Sequence, residues 1–241
     1  MSNGYMGELT GTPIAPAPNR NFRKVQEGLW SEALGLGTIV QSAFSMSVAV
    51  LRQHRTELIA EIKASELEID RREVEIEREC LRILALYGPV ASDFRRVLTV
   101  MQVNRALERI GDLALRIARR APRLAAVPAP IGIFDPLEAL AEGALTAVCD
   151  AIEALEMSNA EALQVLIAAD HRLKDYRDEL QARLKDLIRV EPDRIAVWLR
   201  LIDIARDLER AGDHADRIAE ALVFLKEGQI IRHLRLRSTA V

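Results

Sequence analysis

The chain has 241 residues, carries a formal net charge of −3 and is 49% hydrophobic, 29% charged and only 4% aromatic. So large an apolar share excludes global disorder, and the shortage of aromatics beside abundant alanine and leucine favours helices over an all-β sandwich. A pI near 5.9 makes the chain a poor match for a phosphate backbone, so no nucleic acid partner is expected.

Residues 1–20, with several glycines and prolines and little periodicity, read as a disordered N-terminal tail without the basic-then-apolar pattern of a signal peptide. A first helix is predicted over about 21–54 and a second over about 57–86, with Thr56 as the N-cap between them. Tyr87-Gly88-Pro89 ends the second, and Ser92 is placed to cap a third over about 92–121. Pro122, Pro128 and Pro130 mark a linker over 122–135. Asp135-Pro136 opens a fourth helix, about 136–156. Ser158 with Glu161 reads as a capping box for a fifth, about 159–189. A sixth, about 193–226, stops before Gly228. The expected fold is all-α: two tandem, pseudo-symmetric three-helix bundles over 21–121 and 136–233, then a basic tail over 234–241.

The duplication is visible in the residues. Positions 106–119 read ALERIGDLALRIAR and positions 207–220 read DLERAGDHADRIAE, identical at nine of fourteen places. Val103, Leu107, Ile110, Ala114 and Ile117 make one helical stripe, and Ile204, Leu208, Ala211, Ala215 and Ile218 repeat it.

The shared core is E-R-x-G-D: Glu108, Arg109, Gly111 and Asp112, then Glu209, Arg210, Gly212 and Asp213. Acids four apart share a helix face and repel, so the repeated pair asks for a cation, either a metal ion or a facing arginine. Glu66 and Asp70 repeat that spacing on the second helix. Four carboxylates, Glu66, Asp70, Glu108 and Asp112, converge if helices two and three run antiparallel. All-oxygen ligands suit hard cations. In the second half Asp170 stands for Glu66, but Lys174 stands for Asp70. On spacing alone both readings stay open, because Arg109, Arg116, Arg210 and Arg217 are near enough in sequence to pair with these acids. The glycines leave room for another backbone or a ligand. His214, about 100° around the helix from Asp213, is expected to face solvent.

Cys80 and Cys149 have no metal or redox spacing and read as buried thiols. No phosphate loop, dinucleotide fingerprint or H-E-x-x-H is present, so no enzyme is expected. Ala33–Leu51 is nineteen residues without a charge. It is predicted to face a homodimer partner through Phe44 and Val48 where the first bundle leaves it uncovered, with a membrane-facing role as the alternative.

The LERIGD…RIA and LERAGDHADRIAE segments, with SDFRRVLTVMQVNRALERIGD over 92–112 and AEALVFLKEGQIIRH over 219–233, resemble the PhoU family of phosphate-signalling accessory proteins. The likeness runs over about 22–233. It implies a six-helix fold of two three-helix bundles. It also implies metal clusters (iron, zinc or magnesium- and manganese-type ions) on E/D-x-x-x-D motifs, matched here by Glu66/Asp70, Glu108/Asp112 and Glu209/Asp213. Asp170/Lys174 departs from that pattern. The implied role is negative regulation of phosphate uptake and of the phosphate-starvation response, in the cytoplasm or peripherally at the inner membrane face. The implied partners are the ATPase subunit of the phosphate ABC transporter and a sensor histidine kinase. A carboxylate-bridged metal enzyme and a metal-free scaffold are the competing readings.

Overall fold

The breaks in periodicity at 54–58, 88–90, 157–161 and 191–194 set the helix ends. A computed structural model describes residues 20–124 and 133–231. It has six helices: α1 (Arg20–Gln53), α2 (Ile59–Tyr87), α3 (Ala91–Arg120), α4 (Phe134–Glu156), α5 (Ala162–Val190) and α6 (Ile195–Glu227). Among the described residues there is no strand. The N-terminal and basic C-terminal tails, and most of the proline linker, lie outside them.

Several caps differ from expectation. Thr56 opens a 3-10 turn, Thr56–Leu58, and caps nothing. Ser92 lies inside α3, whose N-cap is Val90 in extended backbone. Asp135 is already the second residue of α4, behind an Ile133 cap. Ser158 closes α4 instead of starting α5. At φ +51° it donates its N–H to Leu155 O (3.2 Å), and Asn159 donates to Ala154 O (2.8 Å), the two bonds of a Schellman ending. The Asn159 side chain then accepts from the Glu161 N–H at 2.9 Å. Gly88 (φ +50°) and Gly228 (φ +73°) end α2 and α6 in the left-handed conformation that glycine adopts without steric cost.

α1, α2 and α3 pack as one bundle and α4, α5 and α6 as the other; the bundles join through α3 against α6 and α1 against α4. All ten residues of the two repeated stripes are buried. α3 and α6 run antiparallel: Thr99 donates to Ala221 O (3.3 Å), while at the other end Arg116 meets Asp207 (2.7 Å). The repeated segments therefore cross at the level of Gly111 and Gly212, which marks the pseudo-twofold.

The charge-free stretch of α1 is explained by this arrangement. α1 contacts α2, α3 and α4, so both bundles cover it. Gly37 lets Ile152 within 3.5 Å of an added Cβ, Gln41 donates to the Cys149 sulfur at 3.3 Å, and Arg52 pairs with Glu138 and Glu142. Phe44 and Val48 are in the core of the single chain, which corrects their expected place at a dimer contact; Thr38, Ser42 and Ser45 are what this stretch exposes. The helix is long and apolar enough to cross a membrane by length and composition, yet half of its most apolar window is buried inside the fold. The two cysteines are free: Cys80 is buried, which pushes its thiol up to about 12, and Cys149 is half-buried.

Candidate metal centre

The i, i+4 acids of α2 and α3 meet in the groove between these two helices. One carboxylate oxygen each from Glu66, Asp70 and Asp112 lies within 4.8 Å of the others. A hard cation with oxygen ligands at about 2.0–2.6 Å can bridge a trio so spaced, leaving further positions for water. Glu108 sits beside the trio and is not part of it. Its carboxyl pairs with Arg109 Nε at 3.3 Å, and Arg109 also reaches Asp112 at 3.4 Å.

The electrostatics are those of crowded acids. Burial, then the Asp112 carboxylate, pushes Glu108 up to about 7. Glu66 is raised by burial and then by Asp70 and Asp112, with Arg119 and Lys63 too weak to compensate. Glu73, one α-helical step beyond Asp70, is raised by burial and then by Glu77, and Asp70 adds to it. Sequence reasoning passed over Glu73 and Glu77, although 66, 70, 73 and 77 keep one helix face. Arg109 offsets only part of this charge, and a cation placed here would relieve the repulsion that remains.

The second half solves the same problem internally. Ile69 packs against Gly111, where an added Cβ would stand 2.8 Å from its Cδ1, and Leu173 packs the same way against Gly212. These contacts align α2 with α5 at an offset of 104, so Lys174 stands for Asp70 and Arg177 for Glu73. Lys174 Nζ is 2.5 Å from Asp170 and 4.0 Å from Asp213, and Arg177 is 2.9 Å from Glu209. Burial pulls Lys174 down, but Asp170, Asp213 and Glu209 outweigh it and hold the ammonium above its ordinary value. Each predicted acid of this half, Asp170, Glu209 and Asp213, thus has a cationic side chain within 4.0 Å.

The signature glycines also have a use other than the expected one. They admit the Ile69 and Leu173 side chains, not a ligand or another backbone, and Leu173 is further enclosed by Gly143, whose added Cβ would lie 2.9 Å from Leu173 Cδ2. Arg116 and Arg120 pair across the pseudo-twofold with the buried Asp207 and not with the signature acids. Burial still pushes the Asp207 carboxyl up, against the pull of both guanidiniums. His214 is half-buried and not solvent-facing. Its Nδ1 is buried without a partner, and burial, then Arg217, Arg109 and Arg210, lowers it to about 4.

The described residues define an all-α protein of two duplicated three-helix bundles with paired acids on its signature helices. The chain belongs to the PhoU family: the PhoU domain matches residues 34–121 and 137–222. It is 30% identical over 216 residues to the phosphate-specific transport system accessory protein PhoU homolog of Aquifex aeolicus, covering 90% of this chain and 97% of that one. The homolog of the same name from Synechocystis is 31% identical over 216 residues, covering 88% and 94%. The crystal structure of PhoU from Pseudomonas aeruginosa superposes with a TM-score of 0.81 at 28% identity, over 86% of this chain and 100% of that one. The phosphate transport system regulatory protein PhoU from Streptococcus pneumoniae superposes at 0.78 and 26%, over 87% and 98%.

Proposed function

We propose that this protein is a regulator of phosphate transport that restrains uptake when phosphate is plentiful. It does so as an adaptor between the ATPase subunit of a phosphate ABC transporter and the sensor histidine kinase of the phosphate response. The supporting observation is family membership over nearly the whole length of relatives named as phosphate transport accessory proteins. Long rigid helices with flat outer faces suit an adaptor, and no step of covalent chemistry is required of it. The test is deletion of the gene followed by a phosphate-starvation reporter and phosphate uptake in replete medium. Both should rise; a reporter and uptake equal to the parent strain overturn the reading.

In the same reading one cation of the magnesium, manganese, iron or zinc type is held by the first half, through Glu66, Asp70 and Asp112, with Glu108 alongside. When bound it supplies positive charge to the α2/α3 groove and ties the two helices together. Asp170, Glu209 and Asp213 use Lys174 and Arg177 in place of a second metal. Metal content of the purified chain, wild type against D70N/D112N, tests the ligand set.

A further inference from the structure

α3 and α6 carry six exposed arginines on their outer faces. Arg105, Arg109 and Arg116 of α3 recur in α6 as Arg206, Arg210 and Arg217, at the spacing of the repeat. Each set of three falls within about 40° around its helix. The other identities shared by the two signature segments already have a use. The apolar ones fill the core, the glycines seat Ile69 and Leu173, and the acids gather in the α2/α3 groove or pair with Lys174 and Arg177. Packing gives the arginines no such use.

The antiparallel register, fixed by Arg116 opposite Asp207, divides this face into two pseudo-equivalent ends. At one end Arg116 and Arg120 close on Asp207, and Arg120 also reaches Asp203 at 3.9 Å. At the other end Ala106 and Gln102 take the places of Asp207 and Asp203, and Ala221 takes that of Arg120. Both acids are gone, against one guanidinium. Arg105 and Arg217 stand beside each other at this open end, and neither has an ion-pair partner among the described residues. Arg109, level with His214, has only the longer contacts to Glu108 and Asp112, at 3.3 and 3.4 Å. Asp213 is turned to Lys174 of α5.

The residue at the middle changes as well. Leu113 of the paired end is His214 at the open one. The half-buried ring keeps Nδ1 inside, which leaves Nε2 as its outer nitrogen, and the guanidiniums acting on it are those of Arg217, Arg109 and Arg210. Removing two acids and exchanging a leucine for an imidazole both favour an anion here over bare solvent. Guanidiniums match phosphate oxygens in bidentate geometry, and several around one point suit a dianion better than a single carboxylate. From Arg105 to Arg109, and from His214 to Arg217, the open end covers about one helical turn, roughly 5–6 Å, the scale of one small oxyanion and not of a membrane-facing patch.

We propose that the open end of the α3/α6 face binds a phosphate ion, held by Arg105, Arg109 and Arg217 with His214 beside them. The inference stands on charge and register and does not rest on the regulatory reading.

Calorimetric titration of the intact chain with inorganic phosphate tests this, at constant ionic strength and with EDTA present so that no bound cation supplies the contact. Saturable binding of one phosphate per chain is expected. R105Q/R217Q, at two exposed positions, should weaken it at least about tenfold, whereas R206Q, the matching arginine of the paired end, should leave it within about twofold. Q102D/A106D, which installs the acids of the paired end, should abolish binding. Ala106 is buried, so a thermal melt accompanies that variant, and R105Q/R217Q decides the matter if it does not fold. In the wild type the His214 imidazole NMR signals should move with phosphate. No saturation by about 10 mM phosphate, or an unchanged affinity in R105Q/R217Q, overturns the proposal. So does capture on phosphatidylglycerol vesicles that is lost in R105Q/R217Q, without binding of free phosphate, since the face then reads a membrane. None of these readouts involves phosphate uptake or the starvation response, so this site and the regulatory reading fail separately.

Discussion

Replacing Gly212 by alanine sets local and tertiary effects against each other. Helix propensity alone favours the change by up to about 1 kcal/mol, because glycine is the weaker helix former. The tertiary contact opposes it. The new methyl would overlap Leu173 Cδ1, and Leu173 has little freedom to retreat: it is 1% exposed, and its other methyl already lies 2.9 Å from where a Cβ on Gly143 would stand. Overfilling a packed core costs about 1–3 kcal/mol, so with the propensity gain subtracted the net effect is a loss of about 0–2 kcal/mol. For a chain of this size that lowers Tm by up to roughly 8 °C. G28A is the control: nothing lies within 4 Å of its added Cβ, so it should raise Tm slightly. Circular dichroism melts and denaturant titrations measure both. L173A should cost at least about 1 kcal/mol less in the G212A background than alone, since the clash is then relieved. A G212A protein more stable than the wild type, with L173A equally costly in both backgrounds, would refute the claim that the signature glycines exist to seat Ile69 and Leu173.

Three further outcomes follow from the same geometry. D70N/D112N should lose bound manganese, whereas K174D/R177E, which restores acids in the second half, should raise it by about one ion per chain; manganese content by elemental analysis decides both. R116A/R120A leaves Asp207, whose side chain is 1% exposed, without its two partners. Denaturant midpoints should then report a loss of about 3–5 kcal/mol, largely recovered by adding D207N. The third concerns pH. His214 is held at about 4, below its ordinary 6.5, by burial and by Arg217, Arg109 and Arg210. A histidine with a lowered folded value is protonated first in the unfolded chain, so its contribution is intact above 6.5 and is lost as pH falls towards 4. The stability difference between wild type and H214N should therefore shift against the wild type by up to about 3 kcal/mol over that window. A difference that stays constant with pH would show that His214 titrates normally.

Much of this protein is determined locally. Helix existence follows from 3.6-residue periodicity, and the duplication from nine shared residues in fourteen, so the six helices and their pairing into halves were legible in the chain itself. The acids Glu66, Asp70 and Asp112 were legible for the same reason: i, i+4 spacing and repetition both survive without coordinates. The caps were less so, because Ser158 and Ser92 satisfy a capping pattern that the backbone of the loop did not adopt. What only the tertiary structure decided depends on which helices touch. The charge-free stretch of α1 reads as an exposed interface until α4 is seen covering it. Lys174 and Arg177 read as surface charges until α5 lies on α6 and they meet Asp170 and Glu209. Asp207 is distant in sequence from Arg116 and Arg120 and meets them only across the pseudo-twofold. Periodicity records which side of a helix is buried, but not by what. The identity of the neighbour depends on packing between segments far apart in the chain, and that packing gathers one set of duplicated acids in the α2/α3 groove and ties the other into ion pairs with Lys174 and Arg177.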